Sequence, residues 1–79
     1  MITNEIIANN ICAERNRLRL SQEEVAEMLG ISRDNYANLE NHRTSIKATT
    51  LYELRELFGC KLDDFFILND TTKRGLMEE

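Results

Sequence analysis

The sequence predicts an all-α domain of five short helices. Three observations carry that prediction. The chain has no proline and only three glycines among 79 residues, so few breaks are written into it. Its apolar residues recur at spacings of three, four and seven, the period of a helix face. Residues with side-chain oxygens stand just ahead of those periodic stretches, where they accept hydrogen bonds from the free amides of a first turn. No segment alternates as a strand would. A chain of this length makes one domain and buries only about 60 % of the surface its unfolded form exposes, so each apolar side chain matters.

Taken in order, Thr3 or Asn4 caps a first helix that carries Ile7, Ile11 and Leu18 on one face and ends near Arg19. In LSQEEVAEMLG, Ser21 and Glu24 have the spacing of a capping box, and Val25, Ala26 and Leu29 share a face. Gly30 stops this second helix, because glycine enters the left-handed region without a Cβ clash. Ser32 caps a third helix that runs to about Asn41 and is buried through Tyr36 and Leu39. After a loop, ATTLYELRELFG repeats Leu51, Leu54, Leu57 and Phe58 ahead of Gly59, and KLDDFFIL sets Leu62, Phe65 and Phe66 on one side of a fifth helix. Residues 1–68 form the domain. The remainder, NDTTKRGLMEE at 69–79, reads as a flexible C-terminal tail, or alternatively as an arm that docks on a second subunit through Leu76 and Met77.

Composition narrows the function classes. The chain is 42 % hydrophobic and 30 % charged, as ordinary globular domains are, and no apolar run reaches the roughly 18 residues of a membrane helix. The start, MITNEIIANN, lacks the basic and apolar regions of a signal peptide, so a cytoplasmic protein is expected, with no membrane partner. Cys12, Cys60 and the lone His42 do not have zinc-site spacing, and the cysteines read as small packing residues. No nucleophile is paired with a base and no phosphate loop is present, so no catalytic residue, metal or cofactor is expected, and the protein is not read as an enzyme.

The junction of the second and third helices is the informative feature. Two helices joined through LGIS, with a glycine at the turn and a capping serine after it, make the corner of a helix-turn-helix, and Ile31 is expected to point inward there. SQEEVAEMLGISRDNYANLENHR, with Gln22, Ala26, Gly30, Ile31, Tyr36 and Leu39 at their spacing, closely resembles the Cro and phage-repressor-like (XRE) helix-turn-helix regulators. LYELRELFGCKLDDFF resembles the fourth and fifth helices of the same family. The resemblance runs from about Ile11 to Phe66, with the motif itself at 21–41. It implies a five-helix repressor-like DNA-binding domain and a small transcriptional regulator that binds double-stranded DNA sequence-specifically. Its third helix, residues 32–41, would enter the major groove while the second crosses the backbone.

Helical geometry places Arg33, Asp34, Ala37, Asn38 and Asn41 opposite Tyr36 and Leu39. Arginine matches the O6 and N7 of guanine, asparagine the N6 and N7 of adenine, aspartate the N4 of cytosine, and alanine a thymine methyl. Arg33, Asp34, Ala37 and Asn38 are therefore the candidate base contacts. The plainer alternative is a solvated face, with Asp34 favoured in the first turn by the helix dipole. The resemblance further implies backbone contacts from Gln22, Ser32, Asn41, Arg43 and Thr44, with Lys47 as an addition. It also implies a structural salt bridge between Arg15 of the first helix and Glu40 of the third. Two positions depart from the family pattern: His42 and Arg19 stand where many members have glycine, and arginine has no special tolerance of the left-handed region.

Ten basic and fourteen acidic residues give a net charge of −4, the wrong sign for binding DNA by bulk electrostatics. The distribution is uneven. Arg15, Arg17, Arg19, Arg33 and Arg43 lie near the corner, whereas Glu53, Glu56, Asp63, Asp64, Glu78 and Glu79 lie towards the C-terminus, although Glu23, Glu24 and Glu27 share the second helix. Binding is expected to depend on base contacts and on a homodimer spanning a palindromic operator, with half-sites about 34 Å apart. The competing reading keeps the fold as a protein-interaction module, such as a partner-binding antitoxin or adaptor, with the acidic helices as its working surface.

Overall fold

The computed structural model describes residues 2–41 and 44–68, so the expectations for His42, Arg43 and the tail from 69 onward lie outside the described residues. Four α-helices, α1 (Asn4–Arg17), α2 (Gln22–Leu29), α3 (Arg33–Glu40) and α4 (Ala48–Phe58), are followed by a 3₁₀ helix, Leu62–Phe66. The described residues contain no strand. No helix among them is long and apolar enough to cross a membrane.

The caps explain the boundaries. Thr3, not Asn4, opens α1: its hydroxyl accepts from the Ile6 amide at 3.2 Å. At α2 the capping box closes both ways, with the Glu24 amide donating to Ser21 Oγ at 3.0 Å and the Ser21 amide to Glu24 Oε1 at 2.7 Å. Gly30 then turns left-handed, with φ 74°, and one residue further on Ser32 Oγ accepts from the Asn35 amide at 3.1 Å to start α3. α1 stops at Arg17, two residues before the sequence-based estimate. The Leu18 amide still bonds back to the carbonyls of Glu14 and Arg15, and Arg19 then adopts φ 59°.

The fifth segment differs from expectation. It is a 3₁₀ helix of five residues, and the chain is already extended at Ile67. The reason lies in α1. The buried Asn10 donates its side-chain amide to the carbonyls of Phe65 at 2.9 Å and Ile67 at 3.0 Å, so the C-terminal end is satisfied by α1 and not by another helical turn.

Ile11, Val25, Ala26, Tyr36, Leu51, Leu54, Phe58 and Phe65 form one core to which every helix contributes. Phe58 and Phe65 meet edge to face, with ring centroids 6.4 Å apart, so the 3₁₀ helix is pinned to the end of α4. Three apolar positions sit further out than their periodicity suggests. Leu39 is half-buried, Leu57 is 37 % exposed, and Ile31, expected to point inward, is also 37 % exposed. The α2–α3 angle is therefore fixed less by Ile31 than by Val25, Ala26 and Tyr36 beneath the turn.

Asn10→Ala strands two carbonyls at the end of the 3₁₀ helix and should lower unfolding stability by about 2 kcal/mol. Urea denaturation checks this, and amide exchange in Leu62–Phe66 should accelerate more than in α2. An unchanged midpoint would show that the C-terminal segment is held by its aromatic packing alone.

Candidate nucleic-acid interface

The corner is organised around one carboxylate. Arg15 Nε donates to Glu40 Oε2 at 2.7 Å and Arg15 Nη2 to Glu40 Oε1 at 3.1 Å, a two-pronged contact between α1 and α3. Gln22, at the start of α2, donates Nε2 to the same Oε1 at 3.0 Å. The third prong of Arg15, Nη1, donates to the Leu20 carbonyl at 2.7 Å and so fixes the α1–α2 connection. The paired side chains are 12 % and 4 % exposed. The buried Tyr36 hydroxyl has no hydrogen-bond partner among the described residues, and the charge on Glu40 acts on it through space.

Titration behaviour follows from this packing. Burial pushes the Glu40 carboxyl up, but the hydrogen bonds from Arg15 and Gln22, with the Tyr36 hydroxyl nearby, outweigh it and leave its pKa below the ordinary glutamate value. The hydrogen bond to Glu40 raises the Arg15 pKa further, and burial, followed by Glu40, raises that of Tyr36. Burial likewise pushes the neighbouring Cys12 thiol up, so it stays protonated.

The other side of α3 is open. Arg33 and Asp34 approach only to 3.7 Å, with side chains 60 % and 92 % exposed, a contact too loose and wet to hold either in place. Ala37 and Asn38 are half-buried and Asn41 is exposed at the C-cap. Ser32 uses its oxygen as the N-cap acceptor and keeps its own proton to give. The buried flank of α3 consists of Tyr36 and Glu40, not Tyr36 and Leu39, which turns its outward side towards Asn35. Sequence reasoning passes over Asn35 because it sets the outward stripe from Tyr36 and Leu39, although it pairs Glu40 with Arg15. Asn35 and Asn38 line a groove of about 330 Å³ together with Leu29, Leu39, Thr44 and Lys47.

The predicted residues thus fall into groups. Arg33, Asp34, Asn38 and Thr44 are on open surface or in the groove. Gln22 is half-buried with its amide bonded to Glu40, leaving its carbonyl oxygen outside that bond. Arg43 lies outside the described residues.

Removing the carboxylate leaves Arg15 buried without its counter-charge, so Glu40→Ala should cost about 3 kcal/mol, read as a lower thermal midpoint. Because the folded pKa of Glu40 is depressed, the stabilisation is complete above the ordinary glutamate value of about 4.3 and is lost as pH falls through the folded value. The gap between wild type and Glu40→Ala should therefore narrow in urea melts below about pH 4. A gap of equal size at pH 3 and pH 7 would contradict an ionic origin.

The chain matches the helix-turn-helix family HTH_3 over residues 13–65, a span that holds the whole corner and both partners of the Arg15–Glu40 pair. Comparison with curated proteins finds none that matches. Among solved structures, a hypothetical transcription factor, NHTF, from Neisseria is similar with a TM-score of 0.75 and 23 % identity, covering 94 % of this chain and 84 % of that one. The FeII form of HppE, crystallised with its substrate, is similar with a TM-score of 0.75 and 17 % identity. That match covers 82 % of this chain but 38 % of the other, so it concerns a minor part of that protein. At such identities both likenesses speak for the fold. The family match covers more than half of the 79 residues, and the chain belongs to the helix-turn-helix family HTH_3.

Proposed function

We propose that the domain is a small, repressor-like transcriptional regulator that reads double-stranded DNA with α3 in the major groove. One observation carries the reading: α3 is clamped from behind by Arg15, Gln22 and Glu40, while the groups able to pair with base edges stand on its open side. A side chain reads a base only if the helix beneath it is fixed, and the clamp supplies that fixity. Arg33, Asp34, Ala37 and Asn38 are the proposed base contacts, and the exposure of Asn35 adds it to them. Gln22, Ser32, Asn41, Arg43 and Thr44 are the proposed backbone contacts, which set register without reading sequence.

The net charge of −4 predicts weak non-specific binding. Useful affinity then requires base contacts and two subunits, so we read the active species as a homodimer on a palindromic operator in the cytoplasm, with half-sites about 34 Å apart. The same charge favours the rival reading, a protein-interaction module, because Glu53, Glu56 and Asp63 are exposed on α4 and the 3₁₀ helix.

Enrichment from a random duplex pool tests the proposal. A symmetric motif should emerge at low salt, and Arg33→Ala and Asn38→Ala should each weaken binding to it by about 10- to 100-fold while hardly changing binding to random DNA. Failure of any motif to enrich, or unchanged affinity in both variants, would transfer support to the interaction module.

A further inference from the structure

The connection between α1 and α2 contains a residue that folding alone would not select. Arg19 has φ 59° and is the single non-glycine with positive φ among the described residues. An L-residue there crowds its Cβ against the following carbonyl, which glycine avoids. The surroundings fix this conformation. The Arg19 amide donates to the Asn16 carbonyl at 3.0 Å, the Leu20 amide to the Arg15 carbonyl at 3.1 Å, and the Leu20 carbonyl accepts from Arg15.

Among the described residues, nothing offsets the strain through the side chain. Arg15 is held by Glu40 and Leu20, and Arg17 by Glu14 and the Phe58 carbonyl. Arg19 is exposed, and its guanidinium has no hydrogen bond or ion pair among the described residues. A free cation therefore stands on a rigid turn three residues before Gln22, in a protein with few positive charges to spare. Among the described residues, Lys47 in the α3–α4 connection is likewise without a side-chain partner, so the connections before and after the helix-turn-helix each present such a cation.

We propose that Arg19 is a DNA-backbone contact whose guanidinium neutralises a phosphate alongside Gln22, and that its left-handed backbone is the stability cost of placing it there. The proposal rests on the reading of α2 and α3 as a DNA-binding unit. It predicts opposite effects on folding and on binding, which a purely structural residue would not produce.

The full chain and its Arg19→Gly and Arg19→Lys variants are compared by thermal melting and by titration of the enriched duplex across about 50 to 200 mM salt. Arg19→Gly should melt about 4 °C higher. It should bind roughly 5- to 10-fold more weakly at low salt, with a salt slope shallower by about one. Arg19→Lys should keep both affinity and slope. An Arg19→Gly variant that binds like wild type, or melts below it, overturns the assignment while leaving the DNA reading intact. A wild-type chain that selects no duplex overturns both.

Discussion

The Glu40 carboxylate is the point on which the corner depends. It lies on α3, yet it is held by Arg15 from α1 and Gln22 from α2, so three helices meet at two oxygen atoms. A helix of eight residues has little stability of its own and takes its orientation from its contacts. For α3 those contacts are Tyr36 packed in the core and Glu40 bonded across it. An ion pair this buried adds little net stability, because desolvation of both charges opposes their attraction. What it adds is direction: the two-pronged geometry admits one rotation of α3, and that rotation decides which side chains face outward.

Such an arrangement suits a domain that is poor in positive charge. Proteins that bind DNA mainly through phosphate neutralisation can tolerate some slack in their reading helix, since charge brings the surfaces together regardless of sequence. With a net charge of −4, this chain has less of that attraction to rely on. Exact placement of a few hydrogen-bonding groups then carries more of the binding. The clamp behind α3, the open amides of Asn35 and Asn38 and a strained arginine on a rigid turn are mutually consistent under that constraint.

The parts of this design that are local in sequence are legible in it. Ser21 with Glu24, Ser32, Gly30 and Gly59 mark helix ends through interactions three or four residues long, and the structure ends its helices there. Features set by distant partners are not legible in the same way. The last segment is a 3₁₀ helix because Asn10, 55 residues away from Phe65, takes its carbonyl. Asn35 escapes notice because helical periodicity sets the inward side by Tyr36 and Leu39, whereas Glu40, bonded to a partner 25 residues away, is buried in place of Leu39. Arg19 is visible as a departure from glycine, but only the backbone shows that the chain accepts the left-handed turn in place of building a different one.

On the proposed reading, the open side of α3, oriented by the clamp, is the surface that meets DNA. Nitrogen-labelled protein titrated with an enriched duplex and followed by NMR tests it most directly, because every backbone amide and the side-chain amides of Asn35 and Asn38 report separately. The largest shifts should fall on Ser32–Asn41 and on those two side chains, with α4 and the 3₁₀ helix unmoved. Shifts concentrated on the exposed acidic positions Glu53, Glu56 and Asp63, with α3 unchanged, would contradict it.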